Sequence, residues 1–399
     1  MRRQNITIHG STGTIGKNAL SVIAQSKNQH KVFALSAKSK IKTLYNQIKR
    51  FNPKYAVVLD EDKAKHLSEL CVKSKISTKI LHGVESYEYI SSDRRVDCVL
   101  SGISGTSALK PTYAAIKSGK KLLLANKESL IMSGELMMKA AQKSGSQIIP
   151  IDSEHNALFQ ILSPMFETSQ INLKKRKDIA QIILTASGGP FLNFKKKDLK
   201  YVTPAQATKH PNWIMGRKIS VDSATMMNKG LEIIEASLLY GIDCSKIEVL
   251  IHPQSIIHAL VSFNDGSTIS HLSDHDMKIP ISYALSWPGR FNRKNGKQLF
   301  SSIDKLTLRR VKKREFPCLD MCMESIRIGK NAPTILNAAN EVAVEHFLDN
   351  VIKFTDIHEV IKSILHRSRF VRLKNIDDVI KCNMETKKLT ADMIENKWK

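Results

Sequence analysis

A chain of 399 residues with 42% hydrophobic content has room for two or three domains, each burying its own core, and needs no covalent staples to fold. No apolar run approaches the roughly 18 residues that cross a bilayer, and the opening Met1-Arg2-Arg3-Gln4-Asn5-Ile6-Thr7-Ile8-His9-Gly10 meets a glycine before a signal-like segment forms, so the expectation is a cytoplasmic protein with no membrane partner. A formal net charge of +25 leaves open either an anionic polymer or membrane, or a Lys-rich surface around a site for phosphorylated ligands.

In chain order, the first 150 or so residues alternate helical stretches with short apolar runs: Ile6-Thr7-Ile8, Val32-Phe33-Ala34-Leu35, Tyr55-Ala56-Val57-Val58-Leu59, Cys98-Val99-Leu100, Leu122-Leu123-Leu124 and Ile148-Ile149-Pro150-Ile151. Such alternation predicts an α/β unit, a Rossmann-like doubly wound parallel sheet covering residues 1–151. Its first strand runs into Gly10-Ser11-Thr12-Gly13-Thr14-Ile15-Gly16 and then a helix-forming stretch from Asn18 to Ala24. Strand, glycine turn, helix is the arrangement that brings backbone and a helix N-terminus up to a pyrophosphate, although the same turn can serve packing alone. Past the second strand, where an NAD-binding unit places an acid, stand Lys38, Ser39 and Lys40. Two lysines suit a 2′-phosphate, hence NADPH; the other reading is of surface lysines in a Lys-rich chain.

After the strand ending at Ile151 comes Asp152-Ser153-Glu154-His155-Asn156. On extended backbone Asp152 and Glu154 would face the same way and converge on one cation, with Ser153 and His155 turned elsewhere. Carboxylates without thiols suit Mg²⁺ or Mn²⁺. The competing reading makes Asp152 a helix N-cap. A strand at Ile182-Ile183-Leu184 leads into the glycine turn Thr185-Ala186-Ser187-Gly188-Gly189-Pro190, and Ser223, Asn228 and Lys229 offer a hydroxyl, an amide and an ammonium to a phosphate beside a third acid, Glu232. Between them, His210-Pro211-Asn212-Trp213-Ile214-Met215-Gly216-Arg217 reads either as a lid or as a core tryptophan with its flanks. With the strand at Ile247–Ile251, residues 152–286 form a central α+β domain carrying metal and substrate, 287–314 a linker, and 315–399 a helical domain. In the last, Thr355 is the expected N-cap of a stripe made by Ile357, Val360, Ile361, Ile364 and Leu365.

The basic runs Lys174-Lys175-Arg176-Lys177, Lys195-Lys196-Lys197 and Arg309-Arg310-Val311-Lys312-Lys313-Arg314 are separate and carry no interleaved aromatics on which bases would stack, which argues against a nucleic-acid partner. The six cysteines are dispersed and read as reduced thiols; Cys318 and Cys322 suit one helix face better than a zinc knuckle.

Taken together, the glycine turn, Leu124-Ala125-Asn126-Lys127-Glu128-Ser129, Asp152-Ser153-Glu154-His155-Asn156-Ala157, His210-Pro211-Asn212-Trp213 and Met227-Asn228-Lys229-Gly230-Leu231-Glu232 resemble the motifs of 1-deoxy-D-xylulose 5-phosphate reductoisomerases, in the order that family has them. The likeness runs on through Ile251-His252-Pro253-Gln254-Ser255 and Leu336-Asn337-Ala338-Ala339-Asn340-Glu341. The resemblance implies a homodimeric, NADPH- and divalent-metal-dependent reductoisomerase. Its substrate would rearrange by breaking and remaking a carbon–carbon bond, and the resulting aldehyde would be reduced to 2-C-methyl-D-erythritol 4-phosphate for isoprenoid precursors. It further implies Asp152, Glu154 and Glu232 as metal ligands, and Lys127, Ser153, Ser187, His210, Ser223, Asn228 and Lys229 around substrate and phosphate. Thr12, Gly13, Thr14, Ile15, Asn126, Glu128 and Gly216 match cofactor-contacting positions. Lys38-Ser39-Lys40 departs from the Gly-Lys-Asn-like run the family commonly has there. The nearest rival is the same architecture acting on another phosphorylated sugar.

Overall fold

A computed structural model describes residues 3–26, 29–167, 170–171, 173–213, 215–291, 303–312 and 314–397. Seven parallel strands open the chain: β1 (Gln4–His9), β2 (His30–Ala37), β3 (Tyr55–Val58), β4 (Lys79–His82), β5 (Cys98–Ser101), β6 (Lys121–Leu124) and β7 (Ile148–Pro150). They are joined by helices α1 (Thr14–Gln25), α2 (Ile41–Phe51), α3 (Glu61–Lys73), α4 (Val84–Ser92), α5 (Leu109–Lys117) and α6 (Lys127–Ser144). The sheet order is β4-β3-β2-β1-β5-β6-β7, so the direction of winding reverses between β1 and β5. In such sheets the crevice outside the strand ends at the reversal is where ligands bind. Strands covered on both faces read as continuous apolar runs, and Ile6, Ile8, Leu35, Ala56, Val57, Val99, Leu100, Leu122 and Leu123 are all fully buried. Strand β4, which the sequence reading passes over, is an edge strand with exposed ends and no such run.

From Asp152 the chain builds α7 (Ser153–Leu162), the small hairpin β8 (Phe166–Glu167) and β9 (Gln170–Ile171), α8 (Leu173–Arg176) and β10 (Ile179–Ala186). Then come α9 (Pro204–Ala207), α10 (Arg217–Ala224), α11 (Met227–Tyr240), β11 (Ile247–Ile251), β12 (Ile257–Phe263), β13 (Thr268–Leu272), α12 (Lys278–Ser286) and β14 (Arg309–Arg310). Five of these strands form a mixed sheet in the order β13-β12-β10-β11-β14. Two features differ from the sequence reading. Helix α12 sends Ile281, Tyr283, Ala284 and Leu285 into the same core as Ile6, Leu20 and Ile23, so the chain returns to the N-terminal sheet before leaving the middle region. Within the stretch expected to be a linker, Arg309–Arg310 pairs antiparallel with Leu250–Ile251; residues 292–302 of that stretch, and Lys313 of the basic run, lie outside the described residues.

The last part is helical: α13 (Pro317–Ile328), α14 (Ala332–Leu348), α15 (Asp356–Arg367) and α16 (Ile376–Lys397). The stripe on α15 is as expected, with Ile357, Val360, Ile361 and Ile364 fully buried. Thr355 stands at the N-cap position but makes no capping bond, because its backbone is already helical (φ −67°, ψ −23°) and a cap closes from extended backbone. Asp356 Oδ2 instead accepts the Lys353 N–H at 2.9 Å. Among the described residues no helix is long and apolar enough to cross a membrane.

Candidate active site

The glycine turn sits at the winding reversal. Gly10 has φ +65°, and a Cβ there would lie 2.5 Å from the Gly102 carbonyl oxygen at the end of β5. A Cβ on Gly16 would lie 2.4 Å from Ser11 Cα. Backbone meets backbone on both sides, so α1 can start directly against the strand ends only without side chains. Gly13 is the N-cap of α1, a 12-residue helix with no acid in its first turn, and the free N–H groups there suit an anion. The Ser11 N–H donates to the Ser36 carbonyl at 2.9 Å, tying the turn to the end of β2, where Lys38, Ser39 and Lys40 are exposed. Thr12 is buried in the turn. On the other side of the reversal, Asn126 caps α6, accepting from the Ser129 N–H at 2.8 Å and donating to Glu128 Oε2 at 2.9 Å.

A cavity of about 300 Å³ adjoins this rim, and Thr14, Ile15 and Gly216 of the cofactor candidates line it. Its floor is acidic. Asp152 caps α7, accepting from the Ser153 N–H at 2.9 Å, so the expectation of extended backbone through Glu154 is corrected: Glu154 projects from the first turn of a helix. The cap and the cluster are not alternatives, since a helix start turns both side chains toward the same end. Glu232 comes from α11, a helix that also presents Asn228 and Lys229 one turn earlier. Gly230 lets α11 seat on α13, since a Cβ there would be 2.4 Å from Cys322 Sγ. Carboxylate oxygens of Asp152, Glu154 and Glu232 all lie within 4.8 Å of one another.

Two ammonium groups hold these acids together. Lys229 Nζ donates to Glu154 Oε1 at 2.8 Å and to Glu232. Lys127 Nζ pairs with Asp152 and donates to Asn228 Oδ1 at 2.9 Å, with Glu232 Oε1 at 3.5 Å. Asn228 Nδ2 closes the ring on Glu232 Oε1 at 2.5 Å, and Ser153 Oγ donates to Glu154 Oε2 at 2.5 Å. Burial and the neighbouring Glu154 raise the Glu232 carboxyl to about 7, against the pull of Lys229 and Lys127. Burial acts the same way on Glu154, but Lys229, His258 and the Ser153 hydroxyl outweigh it and hold that carboxyl below the usual range. Burial would lower both lysines; the surrounding carboxylates keep them raised and charged.

His155 does not turn away from the acids. It is fully buried, with Nε2 2.9 Å from the Glu232 carbonyl oxygen and Nδ1 3.5 Å from Glu235 Oε2 and 3.9 Å from Asp152 Oδ2. Asp152, His155 and Glu235 thus make a second group behind the first. Burial, opposed by His155, raises Glu235 to about 7. Sequence reasoning missed this residue, although its spacing of three from Glu232 marks one helix face.

Above the acids lie the phosphate candidates. Gly188 and Gly189 adopt positive φ (+83° and +71°), turning Ser187 inward; a Cβ on Gly189 would lie 2.8 Å from the Ser223 carbonyl on α10. His210 Nδ1 accepts the N–H groups of Asn212 and Trp213 at 3.2 and 3.0 Å, so Nε2 carries the proton and donates to Ser187 Oγ at 2.9 Å. Burial lowers this imidazole to about 4, so it is neutral. Trp213 is half-buried, its ring 5.3 Å from that of His275, and Asn212 Nδ2 donates to the Pro253 carbonyl and to Ser255 Oγ at 2.6 and 2.8 Å. Ile214 of this segment lies outside the described residues. Ser255, quoted in the sequence only as part of a motif, also lines the cavity, as do His258 and Met277, which sequence reasoning missed. His258 is on β12, a strand the sequence reading passes over, and Met277 is the N-cap of α12.

Models of one family match most of the chain. That described as 1-deoxy-D-xylulose 5-phosphate reductoisomerase matches residues 6–134, its C-terminal domain 148–240, and a further DXP reductoisomerase C-terminal domain 272–389. The 1-deoxy-D-xylulose 5-phosphate reductoisomerase of Pseudomonas fluorescens (strain Pf0-1) is 43% identical over 397 residues, 100% of this chain and 98% of its own. That of Buchnera aphidicola subsp. Acyrthosiphon pisum (strain Tuc7) is 45% identical over 98% of this chain and 99% of its own. Among solved structures, the reductoisomerase from Zymomonas mobilis in complex with NADPH superposes with a TM-score of 0.91 at 37% identity, covering 99% of this chain and 100% of that one. A DOX-P reductoisomerase in complex with NADPH, fosmidomycin and magnesium gives 0.90 at 36% identity, covering 98% of both chains.

Proposed function

The chain belongs to the 1-deoxy-D-xylulose 5-phosphate reductoisomerase family, and on that premise we propose how its own residues divide the work of the reaction. It is an NADPH-dependent oxidoreductase that, with a divalent metal ion, converts 1-deoxy-D-xylulose 5-phosphate to 2-C-methyl-D-erythritol 4-phosphate, a step of isoprenoid precursor synthesis. The observation that carries the division of labour is the convergence of Asp152, Glu154 and Glu232 beneath Ser187, Ser223, Asn228 and Lys229 on one cavity.

An all-oxygen donor set within 4.8 Å fits a hard cation such as Mg²⁺ or Mn²⁺, and Asp152, Glu154 and Glu232 would hold it. The glycine turn and the acid-free start of α1 fit a dinucleotide pyrophosphate, which Thr12, Gly13, Thr14 and Ile15 would line, with Asn126, Glu128 and Gly216 as further cofactor contacts. Lys38, Ser39 and Lys40, exposed beyond β2, would take the 2′-phosphate. When bound, the cation supplies Lewis acidity at the substrate's carbonyl and hydroxyl oxygens, and NADPH supplies the hydride.

The protein's own groups orient and balance charge. Lys127 stands between Asp152 and Asn228, where its ammonium meets negative charge that develops on substrate oxygens. Ser153 fixes the Glu154 carboxylate and touches the substrate beside it. Ser187, Ser223, Asn228 and Lys229 grip the phosphate, and this remote binding energy holds the reacting carbons in place. His210, neutral and donating to Ser187, orients that hydroxyl and anchors the Trp213 segment, which closes as a lid and excludes water. Six free cysteines, five of them buried, suit a reducing compartment, and we read the enzyme as a cytoplasmic homodimer. Sedimentation of the purified protein measures the dimer.

NADPH oxidation with 1-deoxy-D-xylulose 5-phosphate, with and without Mn²⁺, tests the reading. Turnover should need both, and NMR should show a branched carbon skeleton in the product. An unbranched product would assign the site to another phosphorylated sugar.

A further inference from the structure

The Leu336-Asn337-Ala338-Ala339-Asn340-Glu341 run has no part in the account above. It lies on α14, in the C-terminal helical region, and both Asn337 and Asn340 are 0% exposed. An amide buried at such depth is expensive unless it is bonded. Asn340 Nδ2 donates to Asp222 Oδ1 at 2.8 Å, and Asp222, itself 1% exposed, takes the Lys218 ammonium on its other oxygen at 2.7 Å. Lys218 also feels Glu128 at the start of α6 and Glu341 on α14. Glu341 in turn pairs with Lys387 of α16 at 2.5 Å and accepts from Asn337 Nδ2 at 3.1 Å. Two bonded sets, Asn340–Asp222–Lys218 and Asn337–Glu341–Lys387, therefore lie side by side, coupled by charge between Lys218 and Glu341, and the first ends on the residue before Ser223.

Helix α10 has only eight residues and begins at the exposed Gly216; Val221 and Ala224 seat it in the core, and Asp222 is its buried polar tie to α14. Each residue turns the next by about 100°, so a small roll of α10 sweeps the Ser223 hydroxyl across the cavity. The charge-assisted bond from Asn340 is a fixed point against that roll, because breaking it leaves the buried Asp222 Oδ1 and the buried Asn340 amide without each other, with only Lys218 left on the carboxylate. We propose that Asn340 is a positioning residue: through Asp222 it sets the rotation of α10 and aims Ser223 at the substrate phosphate, which makes the C-terminal helical region part of the phosphate clamp. The inference rests on the reading of Ser223 as a phosphate contact.

The test uses the full chain with Mn²⁺ and four variants: Ser223→Ala, Asn340→Asp, Asn340→Ala and the exchange Asp222→Asn with Asn340→Asp. Asn340→Asp sets two carboxylates face to face and should raise KM for 1-deoxy-D-xylulose 5-phosphate about tenfold, the scale of one charge-assisted hydrogen bond, with KM for NADPH unchanged. Asn340→Ala adds no charge and should move the same constant in the same direction by less, which keeps the test open should the Asp variant not fold. The exchange reverses donor and acceptor and should recover most of the substrate affinity. A purely structural role would move both KM values and the Tm together, without recovery on exchange, and would overturn the proposal. If Ser223→Ala raises substrate KM while the Asn340 variants do not, positioning is wrong and the phosphate reading stands. If Ser223→Ala leaves that constant alone, both fall.

Discussion

The glycine turn after β1 and the acid cluster between α7 and α11 face the same cavity but are built in opposite ways. The first is made of backbone: Gly10, Gly13 and Gly16 lie within one turn, and what they contribute is the absence of side chains where strand ends and helix start touch. The second is made of side chains from remote parts of the chain, with Lys127 and Lys229 balancing acids that burial alone would protonate. A backbone site and its fold are one object, so damage to one is damage to both. A side-chain site is carried by the fold and can lose its chemistry while the fold survives.

The sharpest way to break the contrast is Gly16→Val. Its Cβ would meet Ser11 Cα and the Gly10 carbonyl oxygen at 2.4 and 2.5 Å, contacts no rotamer relieves. Urea unfolding should show a loss of about 3 kcal/mol or more, together with loss of NADPH binding. A stable variant that still binds NADPH would mean the close approach is not needed.

A smaller effect follows from His9 at the end of β1, buried between Ser36 Oγ at 3.2 Å and Ser91 Oγ at 2.7 Å and lowered by burial from 6.5 to about 3. The unfolded chain protonates near 6.5 and the folded one near 3, so the unfolded state binds more protons in between. Stability from this group is complete above 6.5 and falls as pH drops toward 3, by about 2 kcal/mol at about pH 5. Unfolding midpoints for wild type and His9→Asn should therefore converge on acidification; parallel curves would show that His9 is not held neutral.

The smallest effect is expected at the outer edge of the backbone site. Replacing Lys38 and Lys40 together with Ala should raise KM for NADPH about tenfold, the scale of one lost charge-assisted contact, and leave KM for NADH and the Tm as they were. Equal changes for both cofactors would remove the 2′-phosphate from these lysines.

The same contrast explains what could be read from the sequence. The turn was legible because strand, glycines and helix are contiguous, and the buried strands announce themselves as apolar runs, whereas the edge strand β4 has none. Asp152 and Glu154 were legible from their spacing and Glu232 as a third acid, with the family likeness implying all three as ligands, but the geometry of the first two was misjudged, since extended backbone was assumed where a helix begins. Glu235, His155 and His258 join the site only through packing of α7, α11 and β12, which no local pattern states. Thr355 failed as a cap because its backbone is already helical, which its residue type does not announce.

The central claim is that three carboxylates from two helices and a cap form one cation site, independent of the glycine turn. Titrating Mn²⁺ and NADPH into the same samples of wild type and Glu232→Gln tests it most directly, because the substitution keeps size and removes charge. The account predicts that the variant binds Mn²⁺ at least about tenfold more weakly and has no measurable turnover, while its NADPH affinity and Tm match wild type. Unchanged Mn²⁺ affinity, or loss of NADPH binding in step with the metal, would contradict it.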